Sequence, residues 1–430
     1  MSANARHACI SAVTSCLRGE DLQAAINRTL VASGLNEADK KLVTKIAYGY
    51  LRSKTRIDFI LARTVKGKLK KLPFGLVVSL GLAVYELHYL RVPEYATVHW
   101  YVEYVKKRFS AKMGKLANGV LRGVIRWGDA AHDPDFFRHG TSSRATFLGR
   151  YYSCPGWIVR MWRDAYGDDA CRSLLSASLR PPYTGIRVNR SLPEAEKVYA
   201  ALAEEAEHTL PGAWGVALEG SPSVSLADLE DSGQISRQSF AVQLLLAELG
   251  PASWPAPIWD ACAGRGGKTT ALAESVDGPI WASDLSQEKI RALHGETDRL
   301  LLPRVPGFVH DAAASHCLRR RPGTIFLDVP CSGLGVLSRR PDIKHKRTPK
   351  EIERLTRIQR DMLQSCLEVL HRGGTTIYVT CTLNPEENEL AIRDFLSDAG
   401  NGVRLERSFS PTCPGVNEFF YAAVLHRPKT

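Results

Sequence analysis

The stretch Thr324-Ile325-Phe326-Leu327-Asp328-Val329-Pro330-Cys331-Ser332-Gly333-Leu334-Gly335-Val336-Leu337 decides how this 430-residue chain is read. Ile325-Phe326-Leu327 is a short apolar run and predicts a buried strand over 324–328. Pro330 to Gly333 is a turn that no strand continues through. Asp328 therefore stands at the carboxyl end of a strand, and Cys331 just past it. In an open parallel sheet, ligands sit beyond the carboxyl ends of the strands. An acid and a thiol in that position serve either as a buried cap and core filler or as chemistry. The rest of the chain separates the two.

From about residue 235 onward, strands alternate with helices, the pattern of a doubly wound parallel sheet. Strands are expected at 257–261, 279–283, 305–309, 324–328, 374–380 and 418–425. Helices are expected near 239–249, 268–275, 286–299, 349–370 and 385–398. After Asp260 the chain reads Ala261-Cys262-Ala263-Gly264-Arg265-Gly266-Gly267-Lys268-Thr269-Thr270. Glycines after the first strand let the backbone approach a nucleotide-like cofactor. A P-loop would require glycine at 262, which is Cys262, so ATP hydrolysis is disfavoured. Gly264 to Gly267 does not match G-x-G-x-x-G either, which weakens a nicotinamide enzyme. Asp284 ends the next expected strand, where a carboxylate can bind both ribose hydroxyls. Asp311 puts a third acid at the following strand end. In Ile377-Tyr378-Val379-Thr380-Cys381 a thiol again stands at a carboxyl end. Cys331 and Cys381 then share one sheet edge. Two thiols beside a cofactor, without metal-ligand spacing, point to covalent chemistry.

Upstream the charge is uneven. Residues 1–130 hold 22 Lys+Arg against 9 Asp+Glu, and the remaining 300 hold 35 against 36. An excess carried by one end suggests a polyanion partner, nucleic acid above all. Residues 4–127 read as helices only, with Ile10, Val13, Cys16 and Leu17 at helical spacing. Lys40, Lys41, Arg52, Lys54, Arg56, Lys66, Lys68, Lys70, Lys71, Lys106, Lys107 and Arg108 are dispersed through this bundle, suited to phosphates and not to reading sequence. Residues 128–142 read as a polar linker. Residues 143–180 read as short helices, one of them ending at Tyr166-Gly167. A small α/β segment follows, with a strand over 184–188 and a helix over 193–208. No apolar run is long enough to span a bilayer, and the N-terminus has no signal-peptide pattern. Ten cysteines without CxxC give neither a disulfide framework nor a zinc site. A cytoplasmic monomer without metal is expected.

Two resemblances sharpen this. Ala47-Tyr48-Gly49-Tyr50-Leu51-Arg52, Arg91-Val92-Pro93-Glu94-Tyr95-Ala96 and Ala117-Asn118-Gly119-Val120-Leu121-Arg122 look like the landmarks of the NusB-like RNA-binding fold. Residues 143–426 resemble the Sun (Fmu) family of RNA cytosine-5 methyltransferases. That likeness rests on DACAGRGGKTTALAE at 260–274, ASDLS at 282–286, LDVPCSGLGVLSRRPDIK at 327–344 and YVTCTLNPEENE at 378–389. A NusB-like N-terminus is what the bacterial ribosomal RNA branch of that family carries.

The resemblance implies a multidomain chain. It comprises an all-α NusB-like domain over 1–130, linker helices with a small α/β domain over 131–235, and a Rossmann-like methyltransferase domain over 236–430. It implies methylation of C5 of a cytosine in RNA, 16S ribosomal RNA foremost, with S-adenosylmethionine as cofactor. Cys262, Ala263, Gly264, Arg265, Gly266, Gly267 and Lys268 would wrap the cofactor, and Asp328 would border it. Asp284 would hold its ribose, and Asp311 would lie near its adenine. Cys381 would be the nucleophile and Cys331 would assist product release. Asp328 and Lys268 would orient the target base. The chain departs from the family in three places: Gly264-Arg265 stands for Ala-Pro, Gln238-Ser239 for Gln-Asp, and Asn417-Glu418 for Asp-Gly. The basic cluster Arg339, Arg340, Lys344, Lys346, Arg347 after Cys331 is expected to track RNA phosphates. Other readings are an RNA-binding ribosome-assembly factor with an inactive methyltransferase domain, favoured by Arg265; transfer RNA as substrate; and a DNA enzyme with Cys331 as nucleophile.

Overall fold

The protein is described by a computed structural model over residues 2–65, 67–220, 222–314, 318–397 and 402–429. Lys66 and the last residue of the helix expected over 385–398 lie outside these. The chain divides into two compact units, Met1–Arg180 with Leu337–Lys346, and Pro181–Val336 with Arg347–Thr430.

The first unit is helical: α1 Ala3–Leu17, α2 Leu22–Val31, α3 Glu37–Thr64, α4 Phe74–Tyr89, α5 Glu94–Arg108, α6 Ala111–Trp127, α7 Pro134–Arg138, α8 Arg144–Tyr151 and α9 Gly156–Leu179. Ser2, Asp21, Asn36 and Ser110 each cap a helix through a side-chain oxygen, satisfying an amide that the first turn leaves open. Gly49 lets α3 and α4 close together, because a Cβ there would lie 1.8 Å from the Tyr85 hydroxyl. At the core Arg6 grips Glu86 at 2.8 Å, and the Tyr101 hydroxyl donates to the same carboxylate at 2.8 Å. The carboxylate's lone pairs are thus met, which a buried charge requires. The linker expected over 128–142 instead holds a 3-10 turn and α7. Phe136 and Phe137 are buried there, and the Arg63 guanidinium lies 4.2 Å over the Phe136 ring. Gly and Pro punctuate this stretch as caps, not as a tether. Within α9, Gly167 (φ 81°) breaks the helical path where the sequence places a helix end.

Leu337–Lys346 is fastened into this helical unit. Arg52 donates to the Ser338 carbonyl at 2.8 Å, Lys344 to the Arg52 carbonyl at 2.7 Å and Lys346 to the Glu20 carbonyl at 2.6 Å. Arg340 pairs with Asp21 at 2.5 Å. Burial drives the Lys344 ammonium down to about 8 and His345 down to about 3. The expected phosphate track is therefore corrected in part: Lys344 is 1% exposed, and Lys344, Lys346 and Arg347 hold backbone carbonyls, while Arg340 stays half exposed on Asp21.

The second unit has two sheets. In the smaller, β1 Thr184–Val188, β2 His208–Leu210, β3 Gly215–Leu218 and β4 Ile235–Arg237 stand in the order β2-β3-β1-β4. Helices Ala195–Ala203 and Leu226–Asp231 complete a βαββαβ, ferredoxin-like arrangement. In the larger, β5 Ile258–Asp260, β6 Ile280–Asp284, β7 Gly307–Val309, β8 Thr324–Asp328, β9 Thr375–Thr380, β10 Arg404–Phe409 and β11 Tyr421–His426 stand in the order β10-β11-β9-β8-β5-β6-β7. Five strands are parallel, and β11 and β10 add an antiparallel edge. The strand order reverses between β5 and β8, which opens a crevice at their carboxyl ends. Trp259, Ile325, Leu327, Tyr378 and Leu425 fill the core against Leu363, Cys366 and Leu367 of the helix Pro349–Val369. The sequence does not predict strand β10. Five of its six residues are exposed and a bulge interrupts it, so it carries no apolar alternation.

Candidate active site

The register of the sheet brings the site together. Asp328 on β8 is the partner of Val379 on β9. Cys381 follows two residues beyond Val379, and the Pro330 turn folds Cys331 back toward it. The two Sγ atoms lie 3.2 Å apart, and the Cys381 amide donates to Cys331 Sγ at 3.3 Å. Both thiols are free, Cys331 buried and Cys381 half-buried. Gly335 permits this closeness. Its amide donates to the Cys381 carbonyl at 3.1 Å, and a Cβ on it would meet the Phe419 carbonyl oxygen at 2.2 Å.

Glu387 fixes the two loops. It is fully buried, and its carboxylate accepts from the Ser332 amide at 2.7 Å, from Gln359 Nε2 at 3.1 Å, from Asn384 Nδ2 at 2.9 Å and from the Ser332 hydroxyl. Arg347 adds a bond to the Ser332 carbonyl at 3.1 Å. In the sequence this acid reads only as first-turn decoration of a helix. No local signal gives its role, because its partners come from three separate segments.

On the other side of the thiols, Lys268 Nζ donates to Asp328 at 2.6 Å. Both side chains keep partial access to the crevice, at 21% and 25% exposed. The Lys268 ammonium also lies 5.9 Å from the Phe420 ring centre. These neighbours split the titration of the thiols. A hydrogen bond from Cys331 holds Cys381 below the ordinary thiol value, and Lys268 adds to this against burial and the Asp328 charge. The bond to Cys381 pushes Cys331 far up, and burial and Glu387 add to it. Charge is therefore favoured on Cys381 over Cys331.

The cofactor loop starts from β5. Asp260, 1% exposed, accepts from the Thr269 hydroxyl at 2.6 Å and the Cys262 amide at 3.3 Å, which ties both ends of the loop to the strand. Burial raises its pKa to about 7. Asp284 accepts from the Gly264 amide at 3.1 Å, the Ser286 amide at 2.9 Å and Lys289 at 3.2 Å. A cavity of about 300 Å³ opens beside this loop, lined by Cys262, Ala263, Gly264, Lys268, Asp260 and Asp328 among others. Nothing lies within 4 Å of where a Cβ on Gly264 would stand, so the loop backbone is accessible to a ligand. The residues therefore fit a nucleoside cofactor. Gly266 and Gly267 bring the loop into its helix. Asp311 is exposed beyond β7, and its carboxylate accepts from the Ala313 amide at 2.9 Å.

The three departures have structural accounts. Gly264 adopts φ +58°, a conformation that favours glycine. Arg265 is 71% exposed, reaches Glu288 at 3.5 Å and stands at the rim of the same cavity. Ser239 and Glu418 meet: the hydroxyl donates to the carboxylate at 3.0 Å. The two departures are thus in contact, and Glu418 places an acid beside Ser239.

The description 16S rRNA methyltransferase RsmB/F matches residues 249–417, NusB family matches 3–126, and a RsmF/B-like methyltransferase ferredoxin-like domain matches 154–225. The methyltransferase domain is of the RsmB/F family. The family's NusB domain, ferredoxin-like domain and Rossmann-like methyltransferase domain with its mixed sheet are all present. The chain is 29% identical over 386 residues to the probable ribosomal RNA small subunit methyltransferase B of Bacillus subtilis, covering 87% of this chain and 83% of that one. It is 28% identical over 415 residues to ribosomal RNA small subunit methyltransferase B of Escherichia coli (strain 536), covering 91% and 92%. The crystal structure of PH0851 shares the fold over 99% of both chains, with a TM-score of 0.79 at 21% identity. NSun6 from Pyrococcus horikoshii, solved with SFG, shares it over 64% of this chain and 99% of that one, with a TM-score of 0.50 at 22% identity. Among the described residues no helix is long and apolar enough to cross a membrane, and no group of His, Cys, Asp and Glu is arranged to hold a metal.

Proposed function

We propose that this family member methylates C5 of a cytosine in 16S ribosomal RNA through a covalent adduct of Cys381 with C6. The observation that carries this is the contact of the two thiols at 3.2 Å beside the Lys268–Asp328 pair, with charge favoured on Cys381. S-adenosylmethionine, when bound, supplies an electrophilic methyl group on a sulfonium. Cys262 to Lys268, with Asp284, would hold it, Asp311 would lie near its adenine, and Asp328 would border both cofactor and base.

C5 of cytosine is a poor nucleophile. Addition of the Cys381 thiolate to C6 makes C5 enamine-like, so that it can take the methyl group. Asp328, held by Lys268 at 2.6 Å, would stabilise charge developing at the ring's N3 edge. The C5 proton must then leave and the Cys381–C6 bond break. Cys331, whose sulfur lies 3.2 Å from that of Cys381, would assist that elimination. A base in a stem must first leave its stack, at a cost of a few kcal/mol. Residues 1–130 would hold RNA phosphates, 131–235 would join the parts, and 236–430 would carry the chemistry.

The test is bisulfite sequencing of ribosomal and transfer RNA from cells with and without the gene, followed by reconstitution with purified protein. A cytosine in 16S RNA that loses protection without the gene and regains it with protein is expected. Protection lost only in transfer RNA would overturn the substrate. Methylation at a site other than C5 would overturn the chemistry.

A further inference from the structure

A cavity of about 760 Å³ opens on the helical unit, between His7 of α1 and the α5 residues His99, Trp100, Tyr104, Lys107 and Arg108. Helical spacing explains the lining. Thr97, Tyr101 and Val105 form the buried face of α5, and Trp100, Tyr104, Lys107 and Arg108 recur along an adjacent outward stripe. Large aromatics on such a stripe, flanked by cations and not by aliphatic side chains, are not core filler.

The aromatics are already arranged. The Trp100 and Tyr104 rings stack at 5.3 Å with 9° between their planes. His7 sets its edge against both, at 5.0 Å and 5.4 Å. The Arg6 guanidinium, locked by Glu86, lies 5.3 Å from the centre of the Trp100 ring. A ligand that adds to this stack costs the protein little rotamer freedom, which is what preorganisation provides.

We propose that this cavity is a stacking subsite for unpaired nucleotides of RNA. A base would extend the Trp100–Tyr104 stack, and Lys107, Arg108 and His99 would meet the backbone beside it. Planar π-faces with flanking cations are the combination that binds single strands without sequence preference. The occupant follows from charge complementarity, since 22 Lys+Arg against 9 Asp+Glu over residues 1–130 favour a polyanion. Glu103 also lines the cavity, and Lys106 pairs with it at 3.4 Å. A carboxylate there disfavours a bare polyphosphate and can accept from a base amino group. The inference rests on the RNA reading above and adds a place where bases, not only phosphates, are held.

The experiment compares the full chain's affinity for a short single-stranded oligoribonucleotide and for a blunt RNA duplex with the same number of phosphates. Tyr104→Ala is expected to weaken single-strand binding about tenfold, by the usual worth of one base stack. It should leave duplex binding within about twofold and the salt slope unchanged, because no phosphate contact is lost. Tyr104→Phe should bind like the wild type, whereas Lys107→Ala with Arg108→Ala should lower the salt slope. Photo-crosslinking of wild type to a 4-thiouridine oligonucleotide should map to the peptide holding Trp100 and Tyr104, which decides the matter even if a variant misfolds. Unchanged single-strand affinity in Tyr104→Ala, crosslinks elsewhere, or equal displacement of the RNA by polyglutamate would each overturn the subsite. If wild type binds duplex and single strand but Tyr104 is indifferent, only the subsite fails. If wild type binds neither, the RNA reading of the helical unit fails with it.

Discussion

Cys331 and Cys381 come from loops 50 residues apart, yet their sulfur atoms are 3.2 Å apart. Lys268 favours charge on Cys381, while the Glu387 carboxylate grips the residue next to Cys331 and disfavours charge there. The two thiols should therefore fail differently. Cys381→Ala should give neither methylated RNA nor a covalent complex. Cys331→Ala should allow addition and methyl transfer but stall elimination, leaving a slow protein–RNA band on a denaturing gel. The double variant should lose the band. A band from Cys381→Ala alone would reverse the roles.

Lys268 should set the reactivity of Cys381. Lys268→Met removes the ammonium that both pairs with Asp328 at 2.6 Å and draws the Cys381 pKa down. The thiolate fraction at neutral pH then falls. The pH midpoint for alkylation of Cys381 by iodoacetamide should move upward, and methyl transfer should drop by about a hundredfold or more, in the range of a lost general acid–base partner. An alkylation profile that superimposes on the wild type would remove Lys268 from this role.

Asp284→Ala should raise the dissociation constant for S-adenosylmethionine by about tenfold, because charge-assisted bonds to ribose hydroxyls are roughly twice as strong as neutral ones. The same carboxylate braces the Gly264 amide, so the loop loses its support along with the acceptor. Calorimetry returning wild-type affinity would rule out Asp284 as the ribose acid.

Glu387 should matter for stability as well as rate. Glu387→Ala leaves the buried Ser332 amide and the Gln359 and Asn384 amides without their acceptor. Each stranded buried donor costs about 1–3 kcal/mol, so urea unfolding should show a loss of roughly 3 kcal/mol or more. Glu387→Gln should not restore it, since its NH2 would face donors. A variant as stable and as active as the wild type would mean that the loops are held by Gly335 and the sheet alone.

Much of this site is legible in the sequence. Asp328, Cys331 and Cys381 each follow a short β-branched or apolar run, and strand ends in a parallel sheet share one edge. What the sequence does not carry is partner choice. Glu387 looks like any acid in a helix's first turn. Lys344 and Lys346 look like part of a solvated phosphate track, because a run of charge gives no hint that their ammonium groups will turn to backbone carbonyls. Strand β10 has no alternation to detect, and α7 hides behind its Gly and Pro neighbours. Ser239 and Glu418 read as two unrelated departures until their 3.0 Å contact joins them.

Asp260 should give the protein a pH-dependent stability that rises toward acid. Burial raises its pKa from the usual carboxylate value to about 7 in the folded state. Between about 4 and 7 the folded chain holds a proton that the unfolded chain has released. The stabilisation is therefore complete below about 4 and is lost as pH rises through 7, with a slope of about 1.4 kcal/mol per pH unit between those two values. Asp260→Asn cannot lose that proton and keeps an oxygen for the Cys262 amide, while the Thr269 hydroxyl can turn to accept from the new NH2. Its melting temperature should match the wild type below about pH 4, begin to exceed it by about pH 5 and exceed it most near pH 8. If the two curves run parallel across that range, Asp260 is ionised throughout and its environment is more polar than its burial implies.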